Sequence, residues 1–106
     1  LRNNVLITSF YHTTVKRVKE LDPKIKTGII ISSRPVKPAQ LVLDAKSDVL
    51  FPRYVYVDKE MVREIHKQNL AIYPWTIDDP DEMRPLIKMG VDGIVTNKPD
   101  VLKSLQ

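Results

Sequence analysis

The chain has 106 residues, 42% hydrophobic and 28% charged, with no cysteine and a formal charge of +4. One small globular domain is the natural reading; disorder, disulfides, thiol nucleophiles and Cys-based zinc sites are excluded. No apolar run reaches the roughly 18 residues that a membrane-spanning helix needs.

Leu1-Arg-Asn-Asn-Val5 carries neither an initiator Met nor a charged-then-apolar leader and leads straight into a strand. That pattern reads as a trimmed, processed or otherwise partial chain. The first strand is expected over Val5–Thr8, and a helix with Val15, Val18 and Leu21 on its apolar face follows. Thr27–Ile31 reads as the second strand, Pro38–Lys46 as a short helix and Asp48–Phe51 as the third strand. Lys59–Gln68 is the next helix, with Met61, Val62 and Ile65 inward, Asp58 as its cap and Asn69 in the left-handed turn that ends it. A fourth strand is expected over Leu70–Tyr73. Asp79-Pro-Asp-Glu82 then reads as a cap with Pro80 at the first helical position and a reciprocal carboxylate at the third. Met83, Leu86 and Ile87 line that helix, Pro85 should kink or shorten it, and Gly90 stops it. Val91–Thr96 is the fifth expected strand, and Pro99 opens a last helix carrying Val101, Leu102 and Leu105.

Successive strands begin about 21 or 22 residues apart, the mark of repeating strand-helix units. Strands apolar on both faces call for a parallel sheet. An open doubly wound sheet and part of a barrel both satisfy that requirement, but uniform units without a long crossover favour a consecutive arc of a TIM-type (β/α)8 barrel. Such an arc leaves two unpaired parallel edges and an unfilled interior, so partner strands must be supplied.

The 17 basic and 13 acidic residues are interleaved, as in Lys16-Arg17-Val18-Lys19-Glu20. They read as solvated helix faces. No basic face with aromatic platforms marks a nucleic-acid binder, so no nucleic-acid partner is expected. The absence of cysteine fits a reducing interior, which slightly favours the cytoplasm, and fits an exported protein as well.

Val5-Leu-Ile-Thr-Ser-Phe10 with Leu21-Asp-Pro23, then Val62–Leu70, Trp75-Thr-Ile-Asp78 and Gly90-Val-Asp-Gly-Ile-Val-Thr-Asn97 with Pro99-Asp100, together resemble the glycerophosphodiester phosphodiesterase family. The resemblance spans nearly the whole chain and is weakest from Ser32 to Tyr56. Departures are mild: Asp78 where Asn is usual, Asn69 where Gly is common and Asn97 where Asp is frequent. The resemblance implies a single partial domain over residues 1–106, the C-terminal part of a barrel of about five strand-helix units. For the complete enzyme it implies Ca2+ or Mg2+ and hydrolysis of a small-molecule glycerophosphodiester to glycerol 3-phosphate and an alcohol. The family's His-Arg, His-Asp and Glu-x-Lys segments have no counterpart here. The chain by itself is therefore expected to bind no metal, to hold no catalytic residue and to be inactive, supplying scaffold and pocket wall. Its partner would be the missing N-terminal half of the barrel. The alternative is a noncatalytic half-barrel that self-associates or binds another chain.

Three residues are candidates for substrate binding. Trp75 lies where a strand meets its loop, and the resemblance makes it a wall of the pocket for the alcohol portion; a buried core Trp is the structural alternative. Phe10 sits at another strand tip. Arg53, after Phe51-Pro52, could approach a phosphate or remain a surface residue. Thr96 and Asn97 could hydrogen-bond at the mouth of the barrel or form a turn. His12 and His66 read as helix-entry and helix-surface residues, since no carboxylate is spaced to partner either. The acids at Asp78-Asp79 and Asp81-Glu82 read as helix-start residues rather than metal ligands, and Ser9 lacks the glycines of a nucleophile elbow.

Overall fold

The computed structural model describes residues 6–105. The elements run β1 (Leu6–Ser9), α1 (His12–Leu21), β2 (Lys26–Ile31), α2 (Pro38–Asp44), β3 (Val49–Pro52), a single 3₁₀ turn (Tyr54–Tyr56), α3 (Lys59–Lys67), β4 (Ala71–Ile72), α4 (Pro80–Met89) and α5 (Pro99–Ser104). Val5, expected to open the first strand, lies outside the described residues.

The strands form one parallel sheet in the order β1-β2-β3-β4. Neighbours in sequence are neighbours in space, so each helix returns the chain across the same side of the sheet. The core confirms this: Val15 of α1, Val42 of α2, Met61 and Ile65 of α3 and Met83 of α4 share one buried cluster with Ile29, Leu50 and Ile72. A doubly wound sheet would divide its helices between two faces. This one has a single helix layer, which is the build of a barrel arc.

The opposite face is the concave one. Thr8, Gly28 and Phe51 share it, because a Cβ added at Gly28 would run into the Phe51 ring and come within 3.3 Å of Thr8 Cγ2. Gly93 makes room for the Tyr73 ring in the same way, and Phe51 and Tyr73 stack at 5.6 Å between centroids. Two glycines thus leave room on this face for the two aromatic rings, tilted 33° to each other.

The capping chemistry is local and largely as expected. Asp58 accepts from Met61 N at 2.8 Å and Asn69 adopts φ 59°. Asp79 accepts from Asp81 N, Gly90 closes α4 in the left-handed conformation, and Pro99 sits in the first turn of α5. Glu82 shows no reciprocal bond, and its carboxylate beside Tyr54 pushes that phenol above its ordinary pKa. Pro85 does not shorten α4, which runs over Pro80–Met89 with Pro85 on its exposed side. Leu21 is 70% exposed rather than on the apolar face, since α1 ends there.

The fifth expected strand needs correction. Residues 91–96 run beside β4 but form no regular ladder. Asp92 N donates to Ile72 O, Val95 N to Pro74 O and Ile77 N to Val95 O. Asp92 supplements these bonds by accepting Ile72 N on its carboxylate at 2.8 Å. Asp48 clamps β3 to β2 identically two strand-helix units earlier: its amide donates to Thr27 O and its carboxylate accepts Thr27 N. Each clamp also takes a basic side chain from a helix, Lys19 at 2.6 Å on Asp48 and His66 at 2.8 Å on Asp92.

Candidate functional site

Parallel strands of an α/β arc end on one rim, and loops leaving that rim are where such folds place chemistry. Here the rim holds a cleft of about 290 Å³. Thr8, Phe10 and Ile30 form one side, Phe51 the floor, and Trp75, Thr76 and Val95 the other side. Larger open grooves exist, including one of about 520 Å³ along α3, but they lie on the helix layer away from the strand tips. The rim cleft is the candidate on chemical grounds.

Trp75 is held from two directions. Its indole Nε1 donates to Phe51 O at 2.8 Å, so the ring orientation is fixed by β3. Its backbone bonds Pro52 O at 3.0 Å and receives Tyr54 N at 2.8 Å, extending the β3–β4 pairing past the end of the ladder. Phe10 meets the indole edge-to-face, with centroids 6.0 Å apart and planes at 89°. This is a favourable aromatic geometry. Phe10 is 56% exposed, so it offers a ring face to the cleft rather than to the core. Arg53 is exposed at the tip of β3, beside Trp75 in the pairing but outside the cleft lining. The structure thus brings Trp75 and Phe10 into contact and leaves Arg53 at the margin.

The loop after Trp75 is tied across the rim. Asp78 accepts from Thr96 Oγ1 at 2.9 Å, from Asn97 N at 2.7 Å and from Asn97 Nδ2 at 3.4 Å. These donors, aided by the Lys98 charge, hold its carboxyl below the usual range. Asp78 is therefore no helix-start residue; Asp79 alone caps α4. Thr96 and Asn97 bond at the rim, and their acceptor is a residue that sequence reasoning assigned elsewhere. The proximity of positions 78 and 97 has no local signal in the sequence. Only the pairing of the two segments creates it.

The histidines lie outside the cleft. His12 Nε2 is 3.1 Å from Ile30 O and fastens α1 to β2. His66 does have a carboxylate partner, Asp92, contrary to the sequence expectation. That pair joins α3 to the start of the fifth segment, at the opposite end of the strands from Trp75. The cleft lining contains no titratable side chain. Among the described residues no three His, Asp or Glu side chains gather as a metal site. No helix among them is long and apolar enough to cross a membrane.

A single helix layer over an ordered parallel sheet, with an aromatic cleft at the carboxyl rim, defines part of a TIM-type barrel whose site faces that rim. Residues 1–101 match the Glycerophosphoryl diester phosphodiesterase family, and the chain belongs to it. It is 35% identical over 101 residues to the glycerophosphodiester phosphodiesterase of Caldanaerobacter subterraneus subsp. tengcongensis, covering 95% of this chain and 42% of that protein. It is 28% identical to glycerophosphodiester phosphodiesterase GDPD4 of Arabidopsis thaliana, covering 97% and 32%. An Oleispira antarctica phosphodiesterase, solved with the product sn-glycerol-3-phosphate, superimposes with a TM-score of 0.85 at 22% identity, over 93% of this chain and 40% of that one. The chain thus spans roughly a third to two-fifths of the length of these relatives. Divalent-metal dependence is general in the family.

Proposed function

We propose that this chain is the C-terminal part, a single partial domain over residues 1–106, of a metal-dependent enzyme that hydrolyses a glycerophosphodiester to glycerol 3-phosphate and an alcohol. Its contribution is scaffold and pocket wall. The observation that carries this reading is the rim cleft of a family member whose lining is aromatic, aliphatic and hydroxyl, without an acid or base. Such a surface binds and excludes water but moves no proton.

In this reading Trp75, locked by its bond to Phe51 O, and Phe10 form the wall against the alcohol portion. Arg53, free at the margin, reaches toward the phosphate. The metal ligands and proton-transfer groups belong to the rest of the barrel. The purified chain with Mg2+ or Ca2+ and glycerophosphocholine should therefore release no glycerol 3-phosphate. Turnover that survives repurification overturns this assignment.

A second reading rests on the concave face, where Leu6, Phe10 and Val95 are 44%, 56% and 37% exposed. Two copies could cover each other's concave faces as a noncatalytic half-barrel pair. Light scattering at micromolar concentration decides it, since a stable monomer contradicts self-association.

A further inference from the structure

Thr76 and Val95, side by side in one wall of the rim cleft, belong to segments with no regular ladder between them. At the rim their backbone attachment consists of Val95 N to Pro74 O at 2.8 Å and Ile77 N to Val95 O at 3.1 Å. Immediately beyond these bonds, Asp78 collects its three donors from Thr96 and Asn97. Thr96 Oγ1 in turn accepts Lys98 N at 2.9 Å, so the turn that presents the donors is itself hydrogen-bonded. Bonds to an ionised acceptor are the strong kind, and three converge where the backbone supplies only two.

We propose that Asp78 is the positioning residue of the cleft: by fastening the Thr96–Asn97 turn to the loop after Trp75, it seats Val95 beside Thr76 and so closes the wall around the indole, whose orientation Phe51 O already sets. Asp78 does not line the cleft and acts through Thr76, Val95 and Trp75. The neighbouring acid, Asp79, has a different task at the start of α4, so the two adjacent aspartates divide a rim function from a helix function. The relevance of this position to substrate rests on the pocket reading above, but the geometric claim does not.

Trp75 is the only tryptophan, so its fluorescence reports the cleft without any substrate. Asp78→Ala should red-shift the emission and raise acrylamide quenching at neutral pH while the far-UV circular dichroism is unchanged. Asp78→Asn keeps an oxygen acceptor for Thr96 Oγ1 and Asn97 N and should restore most of the native emission. Asp58→Ala, which removes the distant cap of α3, controls for general loss of stability and should leave the indole as it is. Should Asp78→Ala not fold, Thr96→Val removes a donor from the other side of the same link and should give the same red shift. A folded Asp78→Ala or Thr96→Val protein with native emission and quenching overturns the positioning role. Loss of folding in both variants also overturns it, in favour of a global structural role. Neither result touches the pocket reading, which stands or falls on diester chemistry.

Discussion

The Asp92 clamp lends itself to a quantitative test. Its carboxylate accepts from Ile72 N and from His66 Nε2, each at 2.8 Å, while its own amide donates to Ile72 O. Ile72 is fully buried, and its amide has this carboxylate as its acceptor. Asp92→Ala leaves that donor unsatisfied, a loss of about 1–3 kcal/mol. The His66 pair is 38% and 35% exposed, so its removal adds only ~0.2–1 kcal/mol. The sum is about 1–4 kcal/mol. For a domain of this size that is roughly a 5–30 °C fall in Tm, at about 4–8 °C per kcal/mol. Asp92→Asn keeps an oxygen for the Ile72 amide and should cost below about 1 kcal/mol, close to the cost of His66→Ala. Urea and thermal unfolding followed by far-UV circular dichroism measure all three variants. Equal losses for Asp92→Ala and Asp92→Asn would falsify the reasoning, because the charge and not the backbone acceptor would then carry the clamp.

Gly28→Ala would place a Cβ 2.8 Å from Phe51 Cδ1, against the ~3.5–4.0 Å of ordinary carbon contacts. The ring must tilt off Tyr73 toward the cleft, with an expected loss of about 1–3 kcal/mol in denaturant melts; native stability would show that the ring is not seated as described. Asp78 predicts an acid transition at the rim. Its folded pKa is depressed by Asn97, Thr96 and Lys98, so the stability it contributes is present above the ordinary carboxylate value and is lost as pH falls through the lowered one. Trp75 quenching should rise in that acid window and stay flat there in Asp78→Asn; identical acid profiles for the two proteins would place the transition elsewhere.

The strand-helix repeat, the helix caps at Asp58 and Asp79 and the stops at Asn69 and Gly90 were legible in the sequence because each is written in a few adjacent residues. Phe10 and Trp75 were each legible as strand-tip residues, but their edge-to-face contact was not. What was not legible is long-range pairing of polar groups. His66 with Asp92, Asp78 with Asn97 and Lys19 with Asp48 lie 26, 19 and 29 residues apart, and no periodicity encodes them. The β-rich residues 91–96 predicted a strand, yet this segment holds to β4 through an aspartate clamp and scattered bonds. Leu21 satisfied the helical period but fell at the end of α1, where no element covers it.

The most direct test of the central claim is a graft. In the Caldanaerobacter enzyme, the 42% of the chain that aligns with this one would be replaced by this chain. The account predicts that the graft, given Mg2+ or Ca2+, releases glycerol 3-phosphate from glycerophosphocholine while this chain alone does not. It also predicts that Trp75→Ala in the graft raises KM roughly tenfold, the equivalent of about 1.4 kcal/mol of wall contact, with kcat little changed. A folded graft without activity, or one in which Trp75→Ala leaves KM unchanged, would contradict the assignment of this chain as the pocket wall of that barrel.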